Sequence, residues 1–321
     1  MIRKLIFPIL LVLGISILLK TNFGSTENIN SNQTVMYDLA ENYPFFPSAN
    51  SGTSSGLVYM DKSSIIEQKY FEFNHSSFSS VFSISNQNDH KVDYLVLFLV
   101  NFKQHDVVIN HKTMKKFDLS LNSKEAAFIP FEIKGLKDGF NELTILLIPE
   151  PYTQNLEKEY RFSTDLSHVI PHRFNLIINN KNVPKIIYES FTTDAEEFDL
   201  LEGAFLSKSK ELVPWLTERI NGKENLEYKI HVGNNDLDYK NFALIALLDW
   251  EQTPINNELV QYGKIPSKSR VTIDSFINKE HLSSKGVSNF TVLYIPEPFK
   301  NINEIDFDSQ ILPTTRVGID K

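Results

Sequence analysis

One stretch of this chain occurs twice. Leu143-Thr-Ile-Leu-Leu-Ile-Pro-Glu-Pro-Tyr152 returns 147 residues later as Phe290-Thr-Val-Leu-Tyr-Ile-Pro-Glu-Pro-Phe299, and Thr144, Leu146, Ile148, Pro149, Glu150 and Pro151 each meet an identical residue. A repeat of so long a period means two whole domains, not a solenoid of small units. Each copy is an apolar run of strand length that is then stopped. Proline cannot donate to a β-ladder, so two prolines around one glutamate end the strand and leave the chain extended.

The correspondence reaches further along the chain. Tyr94-Leu-Val-Leu-Phe-Leu-Val-Asn-Phe102 is answered by Phe242-Ala-Leu-Ile-Ala-Leu-Leu-Asp-Trp250, Val81–Ser85 by Tyr228–Val232, and Ile170–Ile177 by Leu312–Ile319. Taken alone, the Ala/Leu-rich run at 242–250 could be a helix. Its β-branched and aromatic partner decides for strand in both copies. Further strands are expected at Lys69–Phe73, Ser80–Ser85, Glu125–Ile133, Glu142–Ile148 and Arg173–Ile178, with turns at Asn86–Asp89 and Lys137–Gly139. The fold class read from this pattern is all-β: two tandem immunoglobulin-like sandwiches produced by internal duplication, following an N-terminal apolar helix. Gly139-Phe-Asn-Glu-Leu143, which leads into the repeated strand, resembles the run-in to the last strands of many immunoglobulin-like bacterial domains. That resemblance implies a fold type and no particular family.

The expected organisation is a signal anchor or signal peptide at 1–20, a flexible linker at 21–56, a first sandwich at 57–179, a connection at 180–197 and a second sandwich at 198–321. Arg3 and Lys4 precede the apolar run Leu5–Leu19, and Lys20 closes it. As a helix the run spans about 22 Å, short of the hydrocarbon thickness of about 30 Å unless the flanking lysines snorkel. No Ala-x-Ala-like cleavage site follows it. The preferred reading is an uncleaved anchor with the bulk of the chain extracytoplasmic, and the alternative is secretion after cleavage. Short helices are expected after the capping box Thr193-Asp-Ala-Glu196 and over Lys210–Ile220.

The repeated strands are apolar almost without interruption, so both of their faces must be covered. Three covers are open: the other sandwich, packed across a pseudo-two-fold axis; the loop Thr153–Val169 with its counterpart after Phe299; or a protein partner.

Several classes of chemistry are excluded or weak. A net charge of −8 does not make a nucleic-acid surface. The chain has no cysteine, hence no disulfide, thiolate nucleophile or cysteine-ligated zinc. Gly52-Thr-Ser-Ser-Gly56 matches the nucleophile elbow in letters only, since it lies in low-complexity sequence without a following helix. His168 and His172 stand at helical ligand spacing with Pro171 between them, and read as surface residues, as do His105 and His111. No cofactor is expected. The candidate binding surface is Phe102 and Trp250, aromatics at the ends of matching strands, together with Glu150 and Glu297. As a carboxylate pair the two glutamates would have to lie within about 9 Å to act on a glycoside. Rim aromatics stack on sugars or anchor partners, though such a ring more often closes a core. The functional expectation is a membrane-tethered extracytoplasmic binding or scaffold protein of the bacterial envelope without catalytic activity, its partner an unidentified envelope protein or glycan. The alternative is an exported carbohydrate-active or other hydrolytic enzyme.

Overall fold

The computed structural model describes residues 33–38, 52–61, 65–153, 156, 169–194, 201–220, 225–282, 286–304 and 310–320. The expected membrane segment 1–20, most of the expected linker, His168 and the residues following Asp194 in the expected first helix lie outside this set. Among the described residues no helix is long and apolar enough to cross a membrane.

Four sheets make up the described chain. The first outer sheet runs, edge to edge, Thr53–Val58, Ser77–Asn86, Glu125–Lys134, Val107–Ile109 and Lys112–Met114, with Val35–Asp38 also paired to Glu125–Lys134. The first inner sheet runs Tyr70–Phe73, Ile170–Ile178, Gly139–Pro149 and Val92–Val100, with Lys116–Leu121 beside the last. With Thr53–Val58 as strand A, Ser77–Asn86 as B, Val92–Val100 as C, Val107–Ile109 as D, Glu125–Lys134 as E, Gly139–Pro149 as F and Ile170–Ile178 as G, the sheets read A-B-E-D facing G-F-C, the arrangement of an immunoglobulin-like sandwich, with Tyr70–Phe73 added beside G. The second half follows the same order, with only an isolated bridge between Ile255 and Glu258 where the first has Val107–Ile109 and Lys112–Met114. Gly203–Ser207, Leu226–Asn234 and Ser269–Ile277 form the second outer sheet, closed at its far edge by Thr193–Asp194. Lys240–Leu248, Val287–Pro296 and Val317–Asp320 lie side by side in the second inner sheet. The registers match as well. Leu143 pairs with Val100 and Pro149 with Tyr94, while Phe290 pairs with Leu248 and Pro296 with Phe242. The two Pro-Glu-Pro tracts therefore end equivalent central strands.

The uninterrupted apolar runs follow from three cores built by alternation. Along Val92–Val100, Tyr94, Val96 and Phe98 point into the first sandwich, while Leu95, Leu97 and Leu99 point the other way. Leu146 and Ile148 join the second set, and across from them lie Ala243, Ile245, Leu247, Leu293 and Ile295 of the second inner sheet. Each inner sheet is thus covered on both faces, once by its own outer sheet and once by the other inner sheet. Of the three covers considered, the other sandwich supplies this one.

Three local expectations are corrected. Thr53–Gly56, read as the end of a flexible linker, belongs to an edge strand, Thr53–Val58, paired in register with Val81–Asn86, and Val35–Asp38 is a strand as well. Its Ser/Gly composition fits a polar edge as well as a linker. Lys210–Ile220 is not a helix: Thr217–Arg219 pairs in parallel with Gly318–Asp320, and Trp215 is buried against Tyr228 and Phe290. Pro214, without an N–H, suits an extended approach to that edge. Thr193 and Asp194 do not open a helix either, since they pair with Val271 and Arg270.

Candidate functional site

The four residues singled out from the sequence all lie at the seam between the two inner sheets, and the two aromatics are not free surface. Phe102 is 0% exposed and Trp250 2%. Each ends a two-residue hairpin loop, Asn101-Phe102 and Asp249-Trp250, with φ of 51° and 63° in one and 49° and 64° in the other. Positive φ at both positions is the type I′ turn that suits strand twist, usually with glycine second. Here the turn folds the ring back onto the inter-sheet core, where Phe102 meets Phe299 edge-on at 5.1 Å and Trp250 Nε1 donates to Pro151 O at 2.7 Å.

Across the seam, contacts come in matched pairs. Gln104 N–H donates to Gln252 Oε1 at 2.8 Å, and Gln252 N–H donates to Gln104 Oε1 at 3.0 Å. The amide of Gln104 donates to Trp250 O and that of Gln252 to Phe102 O, at 3.4 and 2.8 Å. Arg173 donates to the carbonyls of Pro296 and Glu297, both at 2.8 Å, while Arg316 donates to those of Glu150 and Pro149 at 2.9 and 3.4 Å. Glu150 and Glu297, with φ of 47° and 45°, thus contribute main-chain carbonyls to opposite guanidinium groups. The glutamate of each tripeptide holds the seam through its backbone, a role different from that of a catalytic carboxylate pair. The symmetry breaks at the charges. Glu142 forms a buried ion pair with Arg173 and accepts from Phe299 N–H at 2.9 Å, whereas Asn289 occupies the equivalent place and Arg316 stacks on the Trp250 ring at 4.8 Å.

A second feature was not read from the sequence. A cleft of about 530 Å³ opens where the chain switches from the first outer sheet to the first inner sheet, lined by Ser55, Leu57, Ile65, Pro171, His172 and Ile302 among others. Residues 53, 55 and 57 of the edge strand point toward the inner sheet. Thr53 Oγ1 meets Tyr94 Oη at 2.8 Å, Ser55 Oγ meets His172 Nε2 at 2.8 Å, and Leu57 enters the core. Pro171 is tolerated in its strand because Tyr70–Phe73 pairs only with Asn175–Ile178, leaving the 170–174 end without a second neighbour to receive an N–H. Burial, with a smaller contribution from Lys69, lowers the His172 pKa to about 4, so the ring is neutral at pH 7. His172, expected at the surface, is half-buried in the wall of the cleft.

Serine beside histidine is the beginning of a nucleophilic device, but such a device needs a base with a pKa near the working pH and a third group to orient it. Among the described residues His172 has Ser55 as its one hydrogen-bond partner. The central serine of the Gly52–Gly56 elbow pattern, Ser54, points to the opposite face, where Gln87 donates to it at 3.2 Å. His105 Nε2 lies 3.0 Å from Lys134 O. Among the described residues no three His, Cys, Asp or Glu side chains are grouped as a metal site.

No family model matches the chain, and no curated protein matches it. Solved structures with similarity include a red sea bream transglutaminase (9% identity, 85% of this chain and 32% of that one, TM-score 0.22). Others are a CARDB domain from Pyrococcus furiosus (13%, 40% and 96%, 0.25) and the E. coli chaperone DraB (9%, 84% and 95%, 0.24). This chain spans about a third of the transglutaminase. At such scores the superpositions bear on neither fold nor activity.

Proposed function

We propose that the chain is a non-catalytic binding or scaffold protein, held outside the cell membrane by residues 1–20 and built from two immunoglobulin-like sandwiches descended from one duplicated unit. The observation that carries this reading is the reciprocal seam, in which Gln104 and Gln252 exchange the same hydrogen bonds and Arg173 and Arg316 grip the opposite Pro-Glu tract. Contacts returned in this way are what a duplicated unit forms when it pairs with its own copy. They make the two sandwiches one stiff body whose large apolar faces are spent on each other, leaving edges, clefts and loops for a partner. Anchoring rests on the Arg3-Lys4 flank and the apolar run Leu5–Leu19.

The test is affinity capture with the full chain from detergent-solubilised membranes of its own host, combined with deletion of the gene. Specific co-purifying envelope components support the reading. Recovery of the protein alone, with no envelope defect on deletion, refutes it. The contact between Ser55 and His172 favours a second reading, a hydrolase acting in the cleft. Turnover of p-nitrophenyl acetate that disappears in Ser55→Ala would establish it, and the depressed His172 pKa argues that no such turnover occurs.

A further inference from the structure

The edge of the first outer sheet beside the cleft is only partly occupied, and the pattern of its backbone says what fits the remainder. In an antiparallel strand the N–H and C=O of one residue point to the same side, and the side alternates along the chain. Leu57 O accepts from Ile66 N–H at 2.8 Å, and Val58 forms a bridge with Ile65. Leu57 therefore directs its main-chain groups away from Ser77–Asn86 and out of the sheet. By the same alternation so do Ser55 and Thr53, which pair with Ile84 and Asn86 through side-by-side contact and not through the ladder bonds. Among the described residues no backbone group pairs with Thr53 or Ser55 on that outward side. Among the described residues the chain thus begins a third strand at Ile65–Ile66 and abandons it, leaving two residues of open edge, of which Ser55 lines a cleft with an apolar wall of Leu57, Ile65, Pro171, Ile302 and Ile311.

We propose that this edge binds an extended peptide segment of a partner protein, added as a short strand along Thr53–Ser55 with one apolar side chain lodged against Ile65, Pro171 and Ile302. The inference rests on the binding-module reading above and names the ligand class. Main-chain groups that alternate with an apolar pocket match a polypeptide, whose donors and acceptors repeat with the same period as its side chains. A sugar has no such period, and among the described residues the cleft presents no exposed aromatic platform for one. Glu67 and Lys69 at the mouth are exposed and set the preference for flanking charges.

The probe is a phage-displayed library of linear peptides selected on the detergent-solubilised full chain, followed by calorimetry with the best synthetic peptide. The expected result is enrichment of alternating apolar residues, with affinity falling about tenfold, the worth of one hydrogen-bonded contact, in Ser55→Pro. That substitution removes an N–H the sheet ladder does not use, at an edge position where proline is tolerated. Ser55→Ala, which keeps the N–H and loses only the hydroxyl contact to His172, should weaken binding less than Ser55→Pro does. N-methylation along the peptide reads the same question without altering the protein, and only alternate positions should weaken binding. An absence of enriched peptides, binding indifferent to Ser55→Pro in a folded variant, or N-methylation without alternation overturns the proposal. If capture from membranes succeeds while these peptides fail, the cleft assignment falls and the binding-module reading stands.

Discussion

At the level of single residues the structure makes three quantitative commitments. His172 has a pKa of about 4 in the folded chain against an ordinary 6.5, because burial disfavours the imidazolium. Between those values the unfolded chain binds the proton and the folded chain does not, so stability falls as pH drops from about 6.5 to about 4 and levels off below. The contribution is at most about 3 kcal/mol, and urea denaturation across that pH range should show a slope that His172→Asn reduces. Gly233 is the second commitment. A Cβ there would stand 2.1 Å from the carbonyl oxygen of Leu201, which is backbone and cannot swing aside. Gly233→Ala should cost about 1–3 kcal/mol, whereas Gly56→Ala, which meets nothing within 4 Å, should be neutral or slightly stabilising in the same thermal melts. The third concerns Glu142 and Arg173. Removing one partner of a buried ion pair costs about 3–5 kcal/mol because the other charge is stranded, and Arg173→Met strands Glu142 in that way. Glu142→Asn should be milder, since it reproduces what the second half already has at Asn289, an arginine held by carbonyls; chemical denaturation of the two variants gives the order.

Among elements, the two hairpins that carry Phe102 and Trp250 show how local strain is held by packing. A bulky residue at φ near 63° sits where glycine is at ease, a cost of about 1–2 kcal/mol. Emptying the inter-sheet pocket of an aromatic ring costs about 3–5 kcal/mol, so the ring wins and the backbone yields. The two effects separate in a pair of variants. Phe102→Gly and Phe102→Ala both remove the ring, but glycine relieves the left-handed backbone, so it should be the more stable of the two by about 1 kcal/mol, the reverse of the usual order in a strand. Calorimetric melting of both decides it. These hairpins also mark where the sequence stops being legible. The strands themselves could be read, because a continuous apolar run bounded by turns has few other solutions, and the repeat settled the Ala-rich copy at Phe242–Leu248. That such rings more often close a core was part of the reading of Phe102 and Trp250, but the turn type that points them inward was not, because Asn101-Phe102 and Asp249-Trp250 adopt it without the usual glycine. Ser55 was hidden for a different reason. A polar edge strand has the composition of a linker, and its partner His172 lies 117 residues away. Lys210–Ile220 misled because its spacing of apolar residues suits either a helix or a chain inserting Trp215 into a core.

In the whole molecule, the seam decides whether the two sandwiches are separable. Leu95, Leu97, Leu99, Leu146 and Ile148 on one side and Ala243, Ile245, Leu247, Leu293 and Ile295 on the other are all 0% exposed, and they lie on central strands, with the buried Thr144 beside Leu99 and Thr291 beside Leu247 on that face. Cutting the chain in the connection would bare a contiguous apolar surface on each half, far larger than a soluble monomer carries. Because the contacts are reciprocal, each half also retains a surface shaped to receive something like itself: a second Gln104 can take the place of Gln252, and a second Pro149-Glu150 the place of Pro296-Glu297. Residues 33–182 expressed alone should therefore form a two-fold homodimer through the inner sheet, while the intact chain melts in one cooperative transition. Introducing a charge at the centre, Leu97→Lys, should return the half to monomer and weaken the intact chain, with the desolvated ammonium opposing the seam in both. Sedimentation of residues 33–182 as a monomer that unfolds cooperatively at the temperature of the whole protein would mean that the inter-sheet core is an accident of proximity, and the account of these two sandwiches as one body would then have to be abandoned.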